Sequence, residues 1–91
     1  MRIDRLLFFL RLAKSRSLAQ KMVEQGNIRV NGARVTQCSQ PVGVGHVLTL
    51  VAHGSLRVIR LVQIPDRRGP ASEAARMFCD VEPPQVIDRG E

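Results

Sequence analysis

Two sets of apolar residues near the start of the chain recur every three or four positions, which is the spacing of a helix face. The first set is Ile3, Leu6, Leu7, Leu10 and Ala13, and the second is Leu18, Ala19, Met22 and Val23. Asp4 and Ser15 are residue types whose side-chain oxygen caps a helix start. Gly26 suits the left-handed position just past a helix end. We therefore predict two short helices within residues 4–25, joined by a tight turn around Lys14 and Ser15.

The next segment, residues 28–35, alternates between apolar and polar positions around an Asn-Gly pair. Both Asn31 and Gly32 tolerate positive φ, and this pair between alternating segments is the strongest short-range signal of a hairpin. The apolar face of the predicted hairpin contains Ile28, Val30, Ala33 and Val35. Arg29 and Arg34 then project together from the opposite face.

The middle of the chain predicts a loop and two further strands. The loop covers residues 41–45, where proline, valine and glycine alternate. The strands are Val47–Val51 and Leu56–Ile64, and they are joined through a turn at residues 52–55.

The end of the chain predicts one more helix and a tail. Residues 66–69 form a charged turn, and Pro70 suits the first position of a helix over Ala71–Phe78. The side chains expected to dock that helix are Ala74, Met77, Phe78 and Val81. The resulting fold class is α+β, with a single domain over residues 1–82 and a disordered tail over residues 83–91.

Charge is unevenly distributed along the 91 residues, whose formal net charge is +6. Residues 1–34 carry eight Lys and Arg against two acids, whereas the six arginines and six acids of residues 35–91 cancel. A positive charge confined to the first third of a small domain favours a polyanionic partner. The chain has three Phe and neither Trp nor Tyr, so aromatic stacking cannot be its main binding device.

Several other classes of protein are disfavoured by the sequence. No apolar run approaches the ~20 residues of a membrane span, and no signal-peptide pattern is present, so we expect a cytoplasmic protein with free thiols. The spacing of Cys38, His46, His53 and Cys79 matches no compact zinc motif. Neither a Gly-rich nucleotide loop nor an obvious catalytic pair of carboxylates occurs. We therefore expect no metal, no cofactor, no membrane and no enzymatic activity.

Basic residues are concentrated at the elements that bind phosphate well. Lys14 and Arg16 flank Ser15 at the predicted start of the second helix, where free N–H groups and the helix dipole attract anions. Arg29 and Arg34 extend this charge on the hairpin. We expect these side chains to converge on one face, a basic platform suited to a folded RNA, which is recognised through its shape and phosphates.

The same residues resemble a known family. The segments Arg2-Ile3-Asp4, Arg11–Ala19 and Gly26–Gly32 look like the RNA-binding domain of the fourth small-subunit ribosomal protein, here called the S-four-type domain, over about residues 2–51. Arg67-Arg68-Gly69-Pro70-Ala71 resembles the small bacterial ribosome-associated heat-shock RNA-binding proteins in particular. The resemblance implies an α+β fold, in which two helices pack on a small and mainly antiparallel sheet, and binding to structured ribosomal RNA. In the heat-shock subfamily it implies a large ribosomal subunit stalled with a nascent chain, which the protein helps to recycle.

The resemblance also implies which residues contact RNA. Carried over position by position, they are Arg2, Arg5, Lys14, Ser15, Arg16, Arg29 and Asn31. Charge and expected facing add Lys21 and Arg34, while Asn31 is equally suited to a role in the turn alone. The sequence departs from the family pattern at Cys38 and His46.

Two alternatives remain open at this stage. Two short helices with a tight turn can imitate a DNA-binding helix-turn-helix, with Gln20 and Gln25 available to read bases. A basic face could also meet an acidic protein. We expect the free protein to be a monomer.

Overall fold

Three helices and six strands make up the computed structural model, which describes residues 1–83 and 85–86. The helices are α1 (Ile3–Phe9), α2 (Arg16–Glu24) and the single-turn α3 (Ala71–Ala74). The strands are β1 (Ile28–Val30), β2 (Ala33–Val35), β3 (Val47–Ala52), β4 (Ser55–Leu61), β5 (Phe78–Asp80) and β6 (Gln85–Val86).

All strands pair antiparallel, in the order β2-β1-β3-β4-β5. The short β6 pairs with the first residues of β4, Ser55 and Leu56, beyond the stretch of β4 that pairs with β5. The predicted class, α+β with helices on a mainly antiparallel sheet, is confirmed.

One face of the sheet and the two long helices bury a common apolar core. The strand β3 shows this clearly, because Leu48, Leu50 and Ala52 are buried while Val47, Thr49 and Val51 are partly exposed. The buried residues from the helices include Leu6, Leu7, Ala19 and Val23. Each fully buried Leu, Ile or Val side chain contributes about 1.5–3 kcal/mol, so this shared core fixes α1 and α2 on the sheet.

The first helix is shorter than predicted. It ends at Phe9, because Arg11 adopts φ +61°, a left-handed conformation that a right-handed helix cannot continue. Leu10, Leu12 and Ala13 remain buried, and Leu12 and Ala13 both donate their N–H to the carbonyl of Leu7. The predicted tight turn around residues 14 and 15 is therefore a longer connector over residues 10–15.

Several local predictions are confirmed. Ser15 caps α2, with its Oγ accepting from the N–H of Leu18 at 3.1 Å, and Gly26 follows the helix end at φ +74°. Asn31 and Gly32 form the hairpin turn, both with positive φ. Ala33 differs from expectation: it is exposed rather than part of the apolar face, because it lies next to the turn on the edge strand.

The second half of the chain contains more strand and less helix than predicted. The second predicted strand, Leu56–Ile64, begins at Ser55 and ends at Leu61. The helix predicted over Ala71–Phe78 is the single turn α3, and Phe78 begins β5. Pairing of Phe78–Asp80 with β4 outweighs the helical preference of the preceding alanines. Ala74 is buried, and Met77 and Phe78 pack on the core as expected, whereas Val81 is exposed.

The predicted tail, residues 83–91, is described only in part. Gln85 and Val86 form β6 against β4, so they belong to the sheet rather than to a tail. Residues 84 and 87–91 lie outside the described residues. Within the described residues, no helix has both the length and the apolar content needed to cross a bilayer.

Candidate nucleic-acid interface

Asp4 is a buried junction between α1 and α2 rather than the helix cap that the sequence predicted. The N-cap position of α1 is Arg2, so Asp4 falls within the first turn, where it has no exposed surface. Its carboxylate accepts from Arg2 Nε at 2.7 Å and Nη2 at 3.0 Å, and from the Arg5 N–H at 2.7 Å. Gln20 Nε2, on α2, lies 3.4 Å from the second carboxylate oxygen.

These contacts keep the carboxyl ionised. Burial alone raises the pKa of Asp4, but hydrogen bonds from Arg2, the Arg5 N–H and Gln20, with the charge of Arg2, outweigh it and hold that pKa below its ordinary value. The same hydrogen bond and the carboxylate charge raise the pKa of Arg2. The pair is therefore a stable anchor for the start of α1.

A second guanidinium approaches the same carboxylate. Arg16 Nη2, at the start of α2, lies 3.7 Å from Asp4 Oδ2. The side chains of Arg2 and Arg16 are 46% and 44% exposed, so each keeps donors available to solvent. We call Arg2, Asp4 and Arg16 the Asp4 cluster; its net charge of about +1 and its two guanidinium forks suit a phosphate group.

Helix geometry places the basic residues on two flanks of α2. At 100° per residue, Arg16 and Gln20 share the flank that meets Asp4, whereas Leu18 and Lys21 lie on the other side. On that second side Lys14 and Lys21 line a groove of about 440 Å³ between α2 and the β3–β4 turn. We call it the α2 groove; its walls include Leu18, Met22, Val51 and His53.

The hairpin supplies a second pair of cations. Arg29 lies directly opposite Arg34, and Thr49 is the neighbour of Arg29 on β3. Both arginines are exposed and line a hollow of about 380 Å³ on the sheet face that points away from the core. Directly opposed like charges destabilise a strand pair, so the placement suggests a role in binding an anion.

The α2 groove and the hairpin hollow are neighbours. A smaller depression is lined by Met22, Gln25 and Val51, which it shares with the groove, and by Asn27, which it shares with the hollow. Lys14, Lys21, Arg29 and Arg34 therefore line a series of adjoining depressions, here called the cationic furrow. Among the described residues that line it, none is acidic.

The predicted RNA-contacting residues thus converge as two groups rather than as one platform. Arg2 and Arg16 belong to the Asp4 cluster, and Arg5 lies next to it on α1 with its guanidinium 5.8 Å from the Phe9 ring. The second group is the cationic furrow. Ser15 lies where the two flanks meet, and its Oγ serves the helix cap. Contact of these residues with RNA stays a prediction.

Asn31 has a clear structural role. Its Oδ1 accepts from the Val47 N–H at 2.9 Å, and its own N–H donates to the Val47 carbonyl at 2.7 Å. The hairpin turn is therefore fastened to the start of β3. The sequence left open a role in the turn or in RNA contact for this side chain, and these hydrogen bonds show the role in the turn.

Sequence reasoning missed the side chains that hold the connector in place. Arg11 Nε donates to the Gly69 carbonyl at 2.7 Å, and Arg68 Nη1 donates to the carbonyls of Phe8 and Ala13 at 3.1 and 3.3 Å. The family resemblance of Arg67-Arg68-Gly69 marks this segment in the sequence, but it does not reveal its contacts with the connector. His53, which the sequence places in the turn at residues 52–55, also reaches the connector, because its Nε2 lies 3.1 Å from the Arg11 carbonyl.

Comparison with known proteins agrees with this architecture. Residues 1–48 match the family model described as S4 domain. Heat shock protein 15 of Escherichia coli K12 is 36% identical over 77 residues, which cover 85% of this chain and 57% of that protein. The heat shock protein 15 homolog of Haemophilus influenzae is 32% identical over 81 residues, covering 89% and 61%. The chain thus spans about three fifths of the length of these curated relatives.

A solved structure supports the same relationship. The protein described as a trimeric structure of Vibrio cholerae heat shock protein 15 superposes with a TM-score of 0.83 at 34% identity. The match covers 89% of this chain and 81% of that one. The chain therefore belongs to the S4 domain family and is a homologue of the heat shock protein 15 group.

Proposed function

We propose that this chain is a non-enzymatic, cytoplasmic protein that binds structured ribosomal RNA, with the large ribosomal subunit as its target and subunit recycling under heat stress as its role. The observation that best supports RNA binding is the cationic furrow, in which Lys14, Lys21, Arg29 and Arg34 line adjoining depressions and no described lining residue is acidic. The family relationship supports it independently.

The two arginine pairs are suited to phosphates rather than to a deep base-reading contact. Arg29 and Arg34 project from adjacent strands of a flat sheet face, and Arg2 and Arg16 cover a buried carboxylate. Neither arrangement presents a long helix that could enter a major groove. Phosphates held at fixed positions on a folded chain are the main determinant when proteins recognise structured RNA.

A salt titration with a ribosomal RNA fragment tests the proposal. Neutralising about six phosphates predicts that log affinity falls with log salt at a slope of about −4 for single strands, and more steeply for duplexes. Competition with duplex DNA separates the proposal from a DNA-binding role. A flat salt response, or a preference for DNA, would contradict RNA binding.

Co-sedimentation with ribosomes tests the target. We expect the protein to sediment with the large subunit and to be released after nuclease treatment. Sedimentation that resists nuclease would instead favour an acidic protein as the partner. Light scattering of the RNA-free protein decides its assembly, since we expect a monomer of 10.1 kDa, whereas the Vibrio relative is described as trimeric.

A further inference from the structure

We propose that the α2 groove receives one unstacked RNA base, while Lys14 and Lys21 hold the phosphates on either side of it. This inference rests on the proposed function and names its ligand more closely: RNA with an unpaired or bulged nucleotide rather than a continuous duplex. The volume of the groove, about 440 Å³, falls in the range of about 300–1,000 Å³ typical of small-molecule sites.

The walls of the groove are apolar although they face solvent. On α2, Leu18 is 43% exposed and Met22 is partly exposed. On β3, which forms the opposite wall, Val51 is partly exposed. Flipped bases in proteins stack between aromatic or apolar side chains. Because the described residues that line the groove include no Phe, Tyr or Trp, a slot between aliphatic side chains is the form of base contact that this groove offers.

The rim of the groove carries positive charge and hydrogen-bonding groups. Lys14 and Lys21 are both exposed. His53 Nε2 lies 3.1 Å from the Arg11 carbonyl, which can only accept, so this nitrogen carries the proton. In the neutral ring the other nitrogen is then an acceptor, available to a base amino group or to a 2′-hydroxyl.

The position of the groove beside the rest of the cationic furrow favours RNA over an acidic peptide. The groove shares Met22, Gln25 and Val51 with the depression that leads to Asn27, and from there to Arg29 and Arg34. An RNA strand carries one negative charge per nucleotide, so its phosphates would meet the lysines of the groove and then the arginines of the hairpin. A short amphipathic acidic peptide would use only the groove itself, and the hairpin arginines would remain unused.

The experiment uses one RNA hairpin in three forms: fully paired, with a single bulged 2-aminopurine, and with an abasic site at the bulge. We expect the bulged form to bind about tenfold more tightly than the abasic form, as base stacking commonly contributes. The fluorescence of 2-aminopurine should change when the base enters the groove. Leu18→Ala should abolish both the preference and the fluorescence change.

Two further variants make the result decisive. Val44→Ala truncates another exposed apolar side chain, 63% exposed and outside the groove, and should retain the tenfold preference. Lys21→Gln should weaken the bulged and abasic forms by the same factor, because it removes a phosphate contact and leaves the apolar walls. It also provides a readout if Leu18→Ala fails to fold.

The possible failures are distinguishable. If the natural protein bound none of the three RNAs, the proposed function itself would be contradicted. Equal binding of the bulged and abasic forms, unaffected by Leu18→Ala, would overturn the base site and leave the proposed function standing. Binding of an acidic amphipathic peptide that depends on Leu18, without any preference among the RNAs, would overturn the base site in favour of a protein partner.

Discussion

The guanidinium of Arg68 lies 4.2 Å from the centroid of the Phe8 ring, across a sequence separation of 60 residues. The same side chain donates to the carbonyls of Phe8 and Ala13, which lie on either side of the strained Arg11. In the opposite direction, Arg11 Nε donates a hydrogen bond to the carbonyl of Gly69, the residue after Arg68. The segment that follows β4 therefore holds the connector that leads into Ser15 and the start of α2.

We expect Arg68→Ala to lower the free energy of unfolding by about 1–3 kcal/mol, because it leaves two carbonyls without their charged donor and removes the cation–π contact. Urea denaturation measures the change. Arg67→Ala is the matched control, since the Arg67 side chain is 63% exposed and pairs only with Glu73 among the described residues. Its effect should stay within about 0.5 kcal/mol. Equal effects of the two variants would show that Arg68 does not hold the connector.

Asp4→Asn should destabilise the fold by about 1–3 kcal/mol at neutral pH, since it removes the charge that Arg2 and Arg16 share. The pKa of Asp4 is lowered in the folded state, so the unfolded state binds more protons. This stabilisation is complete above the ordinary pKa of an aspartate, about 3.9, and is lost as the pH falls through the lower folded value.

Urea unfolding as a function of pH checks this contribution. The difference in stability between the natural protein and Asp4→Asn should be constant from neutral pH down to about pH 5 and should shrink below about pH 4. A difference that stays constant through the acid range would mean that the ionised carboxylate contributes nothing.

Asn31→Gly separates the two roles considered for Asn31. Glycine keeps the positive φ of the turn but removes the oxygen that accepts from Val47, so we expect a loss of about 0.5–1.5 kcal/mol in stability. RNA affinity at fixed salt should change less than about twofold. Unchanged stability with a large loss of affinity would assign the side chain to RNA contact after all.

Arg16→Ala should weaken RNA binding by about 1–3 kcal/mol, the contribution of a charge-assisted contact to phosphate. Arg76→Ala is the control, because Arg76 is also exposed but lies within residues 35–91, whose charges cancel. It should change the dissociation constant by less than about twofold at the same salt concentration. Equal losses of affinity would indicate that only the overall charge matters and that Arg16 is not a specific part of the RNA-binding site.

The predictions that held depend on residues close together in sequence. Ser15 caps the helix that begins one residue later, and Asn31-Gly32 sets the turn between strands of three residues. In each case the side chain or the backbone preference acts within a few positions. Local signals were therefore sufficient for α2, the hairpin and the choice of fold class.

The predictions that failed depend on distant partners. Arg11 is held in a left-handed conformation by contacts with Gly69 and His53, which no local pattern reveals. Phe78 is drawn into β5 by pairing with Leu61. For the candidate site, charge counting identified the basic residues, but it could not place Arg16 and Lys21 on opposite flanks of α2. The helical period separates these two side chains, but only the fold shows that one flank meets Asp4 and the other lines the α2 groove.

The order of strands in the sheet has a consequence for how the chain acquires its structure. Among the described residues, three of the five strand pairings join consecutive strands, and the other two skip a single strand: β1 pairs with β3 past the short β2, and β4 pairs with β6 past β5. The pairs β1–β2 and β3–β4 are each closed by a turn of two residues, and closing such small loops costs little entropy. The pairing of β4 with β5 instead encloses residues 62–77. We therefore expect the two hairpins to form early in folding and the β4–β5 pairing to form later.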